Sequence, residues 1–333
     1  MPELPLLVVM IVALALAFDY INGFHDTANA IATVVSTRVL TPRAAILMAA
    51  VLNFIGAIHS TTVARTIAAG LVNPVHATQV VILAAILGAI VWNLITWRWG
   101  IPSSSSHALI GGLCGAAAIH GGLGAIQWQG LTDKVLLPLI GSPIAGFALG
   151  FLIMGVLFAA LRNANPGRVG GAFRHLQLLS AASVAFTHGQ NDAQKSMGII
   201  TMALIAHGML SAPTVPTWVI VACATAMALG TSAGGYRIIR TMGHRIIRLE
   251  PVHGFAAETS AATVIFAASH FGMPLSTTHV VAGSIFGVGA SKRLSAVRWG
   301  VAQSMVVAWV LTIPAAALTA ALAYGAMVAA GMR

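Results

Sequence analysis

Charge is what this sequence has least of: its 333 residues include seven Asp and Glu and seventeen Lys and Arg, a 7% charged share against 58% apolar. A soluble domain carries about 25% charged residues, so the composition excludes that class and implies an integral membrane protein. Cysteine is scarce too. Cys114 and Cys223 lie far apart within apolar runs, which excludes a disulfide framework and a cysteine metal centre. The formal net charge of +10 raises nucleic-acid binding as a question, but the basic residues sit in short loops between apolar runs, as in cytoplasmic loops. The expected partner is the lipid bilayer, with no nucleic acid. A basic leader is also lacking: Glu3 stands where a secretory signal is positive, so the N-terminus is expected to stay attached.

What is present is polarity at depth, and it is present twice. Asn22-Gly23-Phe24-His25-Asp26-Thr27-Ala28-Asn29-Ala30 sits in apolar surroundings, as does His188-Gly189-Gln190-Asn191-Asp192-Ala193-Gln194-Lys195. A shift of 166 residues lays Gly23 on Gly189 and Asp26 on Asp192. Ionised groups in hydrocarbon cost several kcal/mol, about 3 or more at the bilayer centre, so they face inward and are used. In a helix reaching Ser36, Asn22, Asp26, Asn29 and Thr33 share one face. Gly23 is expected to loosen that helix.

A second pair is rich in hydroxyls. Gly100-Ile101-Pro102-Ser103-Ser104-Ser105-Ser106-His107 matches Gly272-Met273-Pro274-Leu275-Ser276-Thr277-Thr278-His279 at a shift of 172, and Gly111 and Gly115 fall on Gly283 and Gly287. Two matched blocks at nearly equal offsets indicate an internal duplication.

The expected fold class is all-α, with two inverted-topology repeats of about five membrane segments each and discontinuous or re-entrant helical hairpins at the serine/threonine-rich segments. The first repeat is read as residues 1–161, with spans continuing to Ser36 and near 44–69, 78–97 and 135–161. Residues 162–174 form a cytoplasmic linker, and 175–333 the second repeat. Arg38, Arg43, Arg98, Arg162, Arg168, Arg174, Arg237, Arg240, Arg245, Arg248, Lys292, Arg293 and Arg298 are expected at the cytoplasmic face. With an odd number of crossings per half, both termini lie outside a cell inner (plasma) membrane.

The residues divide by chemistry. Asn22, Asp26, Asn29 and Asp192 offer hard oxygen ligands for a small cation or proton pathway, and Glu258 is an asymmetric addition without a counterpart in the first half. Asp26 has no obvious cationic partner nearby in sequence. Where the first motif has Asn22 and Asn29, the second has His188 and Lys195, so a fixed amine accompanies Asp192. That amine either replaces a mobile cation, contacts an anion, or merely neutralises Asp192. Ser104, Ser105 and Ser106, with Ser276, Thr277 and Thr278, suit an anion cradle at two intramembrane helix starts; close packing of small residues is the alternative. Gln190, Asn191 and Lys195 join the anion-binding set. His107, His279 and His188 are proton-relay candidates, or hydrogen-bonded packing histidines.

These motifs resemble those of the inorganic phosphate transporter (Pit) family, nearest its short bacterial low-affinity permeases, and the resemblance spans nearly the whole chain. It implies a secondary symporter and not an enzyme, without a resident cofactor. Paired Asp motifs would handle the coupling cation and paired Ser/Thr segments would hold inorganic phosphate. Bacterial members are often proton-coupled and carry phosphate as a neutral metal complex, with magnesium for instance, whereas others use sodium. His188 and Lys195 depart from the Asn-rich motif and speak against two symmetric sodium sites. A sulfate permease of the same fold and an intramembrane lipid-phosphate enzyme are the alternatives, and a homo-oligomer is compatible with the sequence.

Overall fold

A computed structural model describes residues 6–332. The side chains of Tyr236, Arg237, His244 and Arg245 lie outside that description, so two of the basic residues assigned to the cytoplasmic face are not placed. The first half comprises α1 (Leu6–Ser36), α2 (Pro42–His59), α3 (Thr62–Gly70), α4 (Gln79–Trp99), α5 (Ser105–Gly121) and α6 (Trp128–Leu131), which continues through a π-type turn into α7 (Leu137–Leu161). The second half comprises α8 (Pro166–Ala206), α9 (Thr217–Ala233), α10 (Tyr236–Arg240), α11 (Pro251–His270), α12 (Thr277–Lys292) and α13 (Trp299–Ala329). Among the described residues, five helical stretches, α1, α2, α4, α6 with α7, and α13, are long and apolar enough to cross a membrane.

Local chemistry sets the helix ends. Thr41 caps α2 by accepting from the Ala44 amide, with Pro42 in the first turn. Asn165 and Pro166 do the same for α8, so this 41-residue helix takes up most of the stretch expected to be a linker, leaving 162–165 as the connection. The span expected over 44–69 is broken at Ser60 and Thr61. Beyond the break, Gln194 Oε1 accepts from the amides of Val63 (2.7 Å) and Ala64 (3.1 Å), satisfying the exposed start of α3 from inside the protein.

Gly23 does not loosen α1, which is continuous. It marks a helix crossing instead: a Cβ there would lie 2.5 Å from the Met227 carbonyl oxygen of α9, and one at Gly189 would overlap the Asn53 backbone of α2. Gly111 against Ile313 and Gly283 against Pro143 form a second matched pair. The motif helix of each half thus packs on a helix of the other half, and α5 and α12 pack on α13 and α7.

Both serine/threonine-rich segments are hairpin tips. Gly100 (φ 65°) and Gly272 (φ 66°) take the left-handed conformation that ends α4 and α11, and the following Pro prevents continuation. At the other end of the first hairpin, the Gln127 amide donates to the Leu71 carbonyl (3.0 Å); in the second, the Arg298 amide donates to Ile246 (3.1 Å). Each tip therefore enters from, and returns to, one face. The motif helices α1 and α8 run antiparallel, since Thr37 Oγ1 donates to Gln177 Oε1 (2.9 Å) and Arg174 Nη2 to the Arg38 carbonyl (3.0 Å).

Candidate functional site

The antiparallel α1 and α8 bring the two Asp motifs together in the interior. Ligand atoms of Asp26, His188 and Asp192 all lie within 4.8 Å of one another, and all three side chains are buried. Asp26 is not without a basic partner: the ring Nδ1 of its neighbour His25 lies 2.6 Å from Asp26 Oδ1. Lys195 Nζ lies 2.6 Å from Asp192 Oδ1, one helical turn along α8, and His188 Nε2 is 3.4 Å from Asp192 Oδ2. The amine in the second motif is therefore already engaged by the carboxylate beside it.

The starts of α5 and α12 converge on the same centre. Thr277 Oγ1 donates to Asp192 Oδ2 (3.3 Å), and Asn29 Nδ2 donates to the hydroxyls of Thr277 (3.2 Å) and Thr278 (2.9 Å). One asparagine of the first motif thus holds the threonine pair of the second half. Ser104 and Ser276 act as N-caps, accepting from the His107 amide (3.2 Å) and the His279 amide (3.3 Å). Ser106 Oγ donates to the Leu275 carbonyl at the opposing tip (2.9 Å). Ser105 Oγ has no partner. Of the six predicted cradle hydroxyls, the two caps serve the helix starts themselves, whereas Ser105 is spare.

His107 and His279 meet across the two tips with ring centroids 4.9 Å apart, and His279 stacks on Trp309 at 4.0 Å. His107 Nδ1 and both nitrogens of His279 lack partners. Gln190 Oε1 and Asn191 Oδ1 are also unpartnered, while Asn191 Nδ2 donates to Ser269 Oγ (2.9 Å) and the Met273 carbonyl (3.2 Å). Asn191 thereby ties its motif to the tip of its own hairpin. His25, at the matching position of α1, does the same through Thr96 Oγ1 at 3.1 Å.

Glu258 lies apart from this centre. It accepts from Thr33 (2.5 Å), Gln177 (3.0 Å) and Ser180 (2.5 Å), all neutral donors, rather than pairing with a basic residue. Asn22 sits one turn from Asp26 with every polar atom unpartnered. Sequence reasoning missed His25, Gln194 and Asn53, whose amide joins His188 (3.2 Å) to Thr231 (2.8 Å). It also missed Asp19, three residues before Asn22 and on the same stripe of α1, a spacing that was available as a signal.

The whole arrangement is sealed: Asp26 and Asn29 are each 3% exposed, Lys195 1%, and Asp192, His188 and His279 0%. A buried constellation of carboxylates, one amine and hydroxyl-capped helix starts can hold a cation beside an oxyanion. A family model described as the phosphate transporter family (PHO4) matches residues 22–320. A probable low-affinity inorganic phosphate transporter of Bacillus subtilis (strain 168) is 51% identical over 97% of this chain and 98% of its own. One of Rhizobium meliloti (strain 1021), with the same description, is 50% identical over 96% of each. A solved structure titled the sodium-dependent phosphate transporter superposes with a TM-score of 0.87 at 26% identity, covering 97% of this chain and 99% of that one.

Proposed function

The chain belongs to the phosphate transporter family, and from that premise we propose that it is a secondary active symporter. It takes inorganic phosphate into the cytoplasm by alternating access, driven by a proton or sodium gradient. One observation carries the reading: two Asp motifs and two hairpin tips, one of each from either half, meet in a single sealed centre. Membership of a transporter family also sets aside the lipid-phosphate enzyme.

The division of labour follows from charge. Phosphate needs many donors once stripped of water. The first-turn amides of α5 and α12, with Ser105, Ser106, Thr277, Thr278, Gln190, Asn191 and Lys195, supply them, while Ser104 and Ser276 keep the two helix starts in place. Asp26, Asp192, Asn22 and Asn29 take the cation. Moving net negative charge inward against the membrane potential costs about 2.3 kcal/mol per charge per 100 mV, so the co-ions must at least offset phosphate. Inverted copies, 1–161 and 175–333, would let the centre open to one face at a time, a reading supported by antiparallel α1 and α8. Both termini then lie outside the plasma membrane.

The test is phosphate uptake into proteoliposomes under separately imposed proton and sodium gradients, with and without magnesium. Uptake that follows one gradient supports symport, and a magnesium requirement identifies a metal-phosphate cargo. Flux indifferent to every gradient points to a channel. Sulfate displacing labelled phosphate with equal affinity would overturn the substrate.

A further inference from the structure

The centre described above leaves one buried carboxylate unexplained. Asp19 of α1 is 0% exposed, and neither of its oxygens is in a formed hydrogen bond. It lies beside the Ser196 hydroxyl of α8 and the Cys223 thiol of α9. The ionised groups that act on it are Asp192 and Lys195 of α8. The amine is held by Asp192 at 2.6 Å and forms no direct ion pair with Asp19.

Counting charge around α1 and α8 sharpens the problem. Asp19, Asp26 and Asp192 share one lysine; His25 lies against Asp26 and His188 near Asp192, but Asp19 has no basic side chain in contact, and an unpaired carboxylate in such surroundings costs several kcal/mol unless something positive joins it. Its neighbours are poor in charge but rich in unused polar atoms. Ser196 Oγ and both polar atoms of Asn22 are buried without partners.

We propose that Asp19, with Asn22 and Ser196, is a second station for a small monovalent cation, a proton or an alkali-metal ion. Asp19 precedes Asp26 by seven residues, which places it about 10 Å away along α1, on the N-terminal side of the centre. Asn22 stands between them on the same stripe, three residues from one and four from the other. A cation arriving from that side meets a carboxylate, then a carboxamide, then the Asp26–Asp192 pair. The second half has no copy of this step: the position matching Asp19 is Ala185.

The station gains its purpose from the symport reading, but its occupancy is measured without transport. Purified full-length protein and Asp19→Asn are compared in detergent by equilibrium binding of radioactive sodium. The infrared carbonyl stretch of a buried protonated carboxylic acid provides the proton arm. Loss of one bound sodium, or loss of one protonated-acid band, supports the station and says which ion fills it. Equal sodium counts together with unchanged spectra overturn it. If Asp19→Asn does not yield monodisperse protein, Ser196→Ala is read instead. Sodium affinity about tenfold weaker, or a displaced acid band, supports the proposal, and no change in either overturns it. Wild-type vesicles that fail to couple phosphate to any gradient would defeat the symport reading and leave this measurement intact.

Discussion

The two motif helices share a geometry and differ in charge. In α8, Asp192 is joined within one turn by Lys195 at 2.6 Å. In α1 the matching position is Asn29, whose amide reaches across to Thr277 and Thr278, and Asp26 has the His25 ring against it and His188 and Asp192 of α8 within 4.8 Å, but no lysine on its own helix. The second half carries its counter-ion covalently; the first must receive one. The matched halves share the crossing of helices and differ in the ionisable groups placed on it. Glu258, answered by neutral donors, and Asp19, beside only the Ser196 hydroxyl and the Cys223 thiol, are additions without a counterpart, one in each half.

Four substitutions bear on this contrast, the most severe first. Lys195→Met strands Asp192 and is expected to cost about 3–5 kcal/mol, with Asp192→Asn added to it recovering most of the loss in thermal unfolding. Asp26→Asn, by contrast, should abolish gradient-driven uptake at a much smaller stability cost. Asp192→Asn alone should abolish it as well. Equal stability losses for Lys195→Met and Asp26→Asn would erase the distinction between a fixed and a mobile counter-ion.

Lys195→Asn gives the second half the residue of the first. It should open a position for about one further cation per phosphate, read as a shift of the reversal potential of uptake. An unchanged potential would mean that Asp192 never competes for a mobile ion. At the packing level the halves should behave alike: Gly23→Val and Gly189→Val are each expected to destabilise by about 1–3 kcal/mol through overpacking against the other half. A large difference in melting temperature between them would show that the shared geometry is only approximate. The gentlest change distinguishes the two tips. Ser105→Ala and Thr277→Ala should each weaken phosphate affinity about fivefold, the worth of one hydrogen bond. Only Thr277→Ala should also alter cation affinity, because Thr277 alone of the two touches Asp192.

Much of this organisation was legible in the residues. Matched glycines, prolines and hydroxyls at offsets of 166 and 172 revealed the duplication. The stripe through Asn22, Asp26, Asn29 and Thr33 named one wall of the centre, because helical periodicity projects directly onto a face. What stayed hidden depends on partners distant in sequence. Gln194 reads as one more polar residue until α3 is seen to begin at its side chain. Glu258 looked like a member of the ion site, yet its depth relative to Asp26 is set by the packing of α11, which no local pattern encodes. Most of 162–174 is helix from Pro166 onward, which the sequence did not reveal because an Asn-Pro-Gly turn and a capped helix start use the same residues.

The interlocked glycine crossings also decide what moves as one body. The α4–α5 hairpin packs on α13, and the α11–α12 hairpin on α7, with backbones too close to slide freely. Each hairpin is thus fastened to the last long helix of the opposite half. A rocking motion of the kind proposed above would then divide the molecule along a seam that crosses the boundary between the two halves, and the unit that swings would differ from the unit that recurs in the sequence.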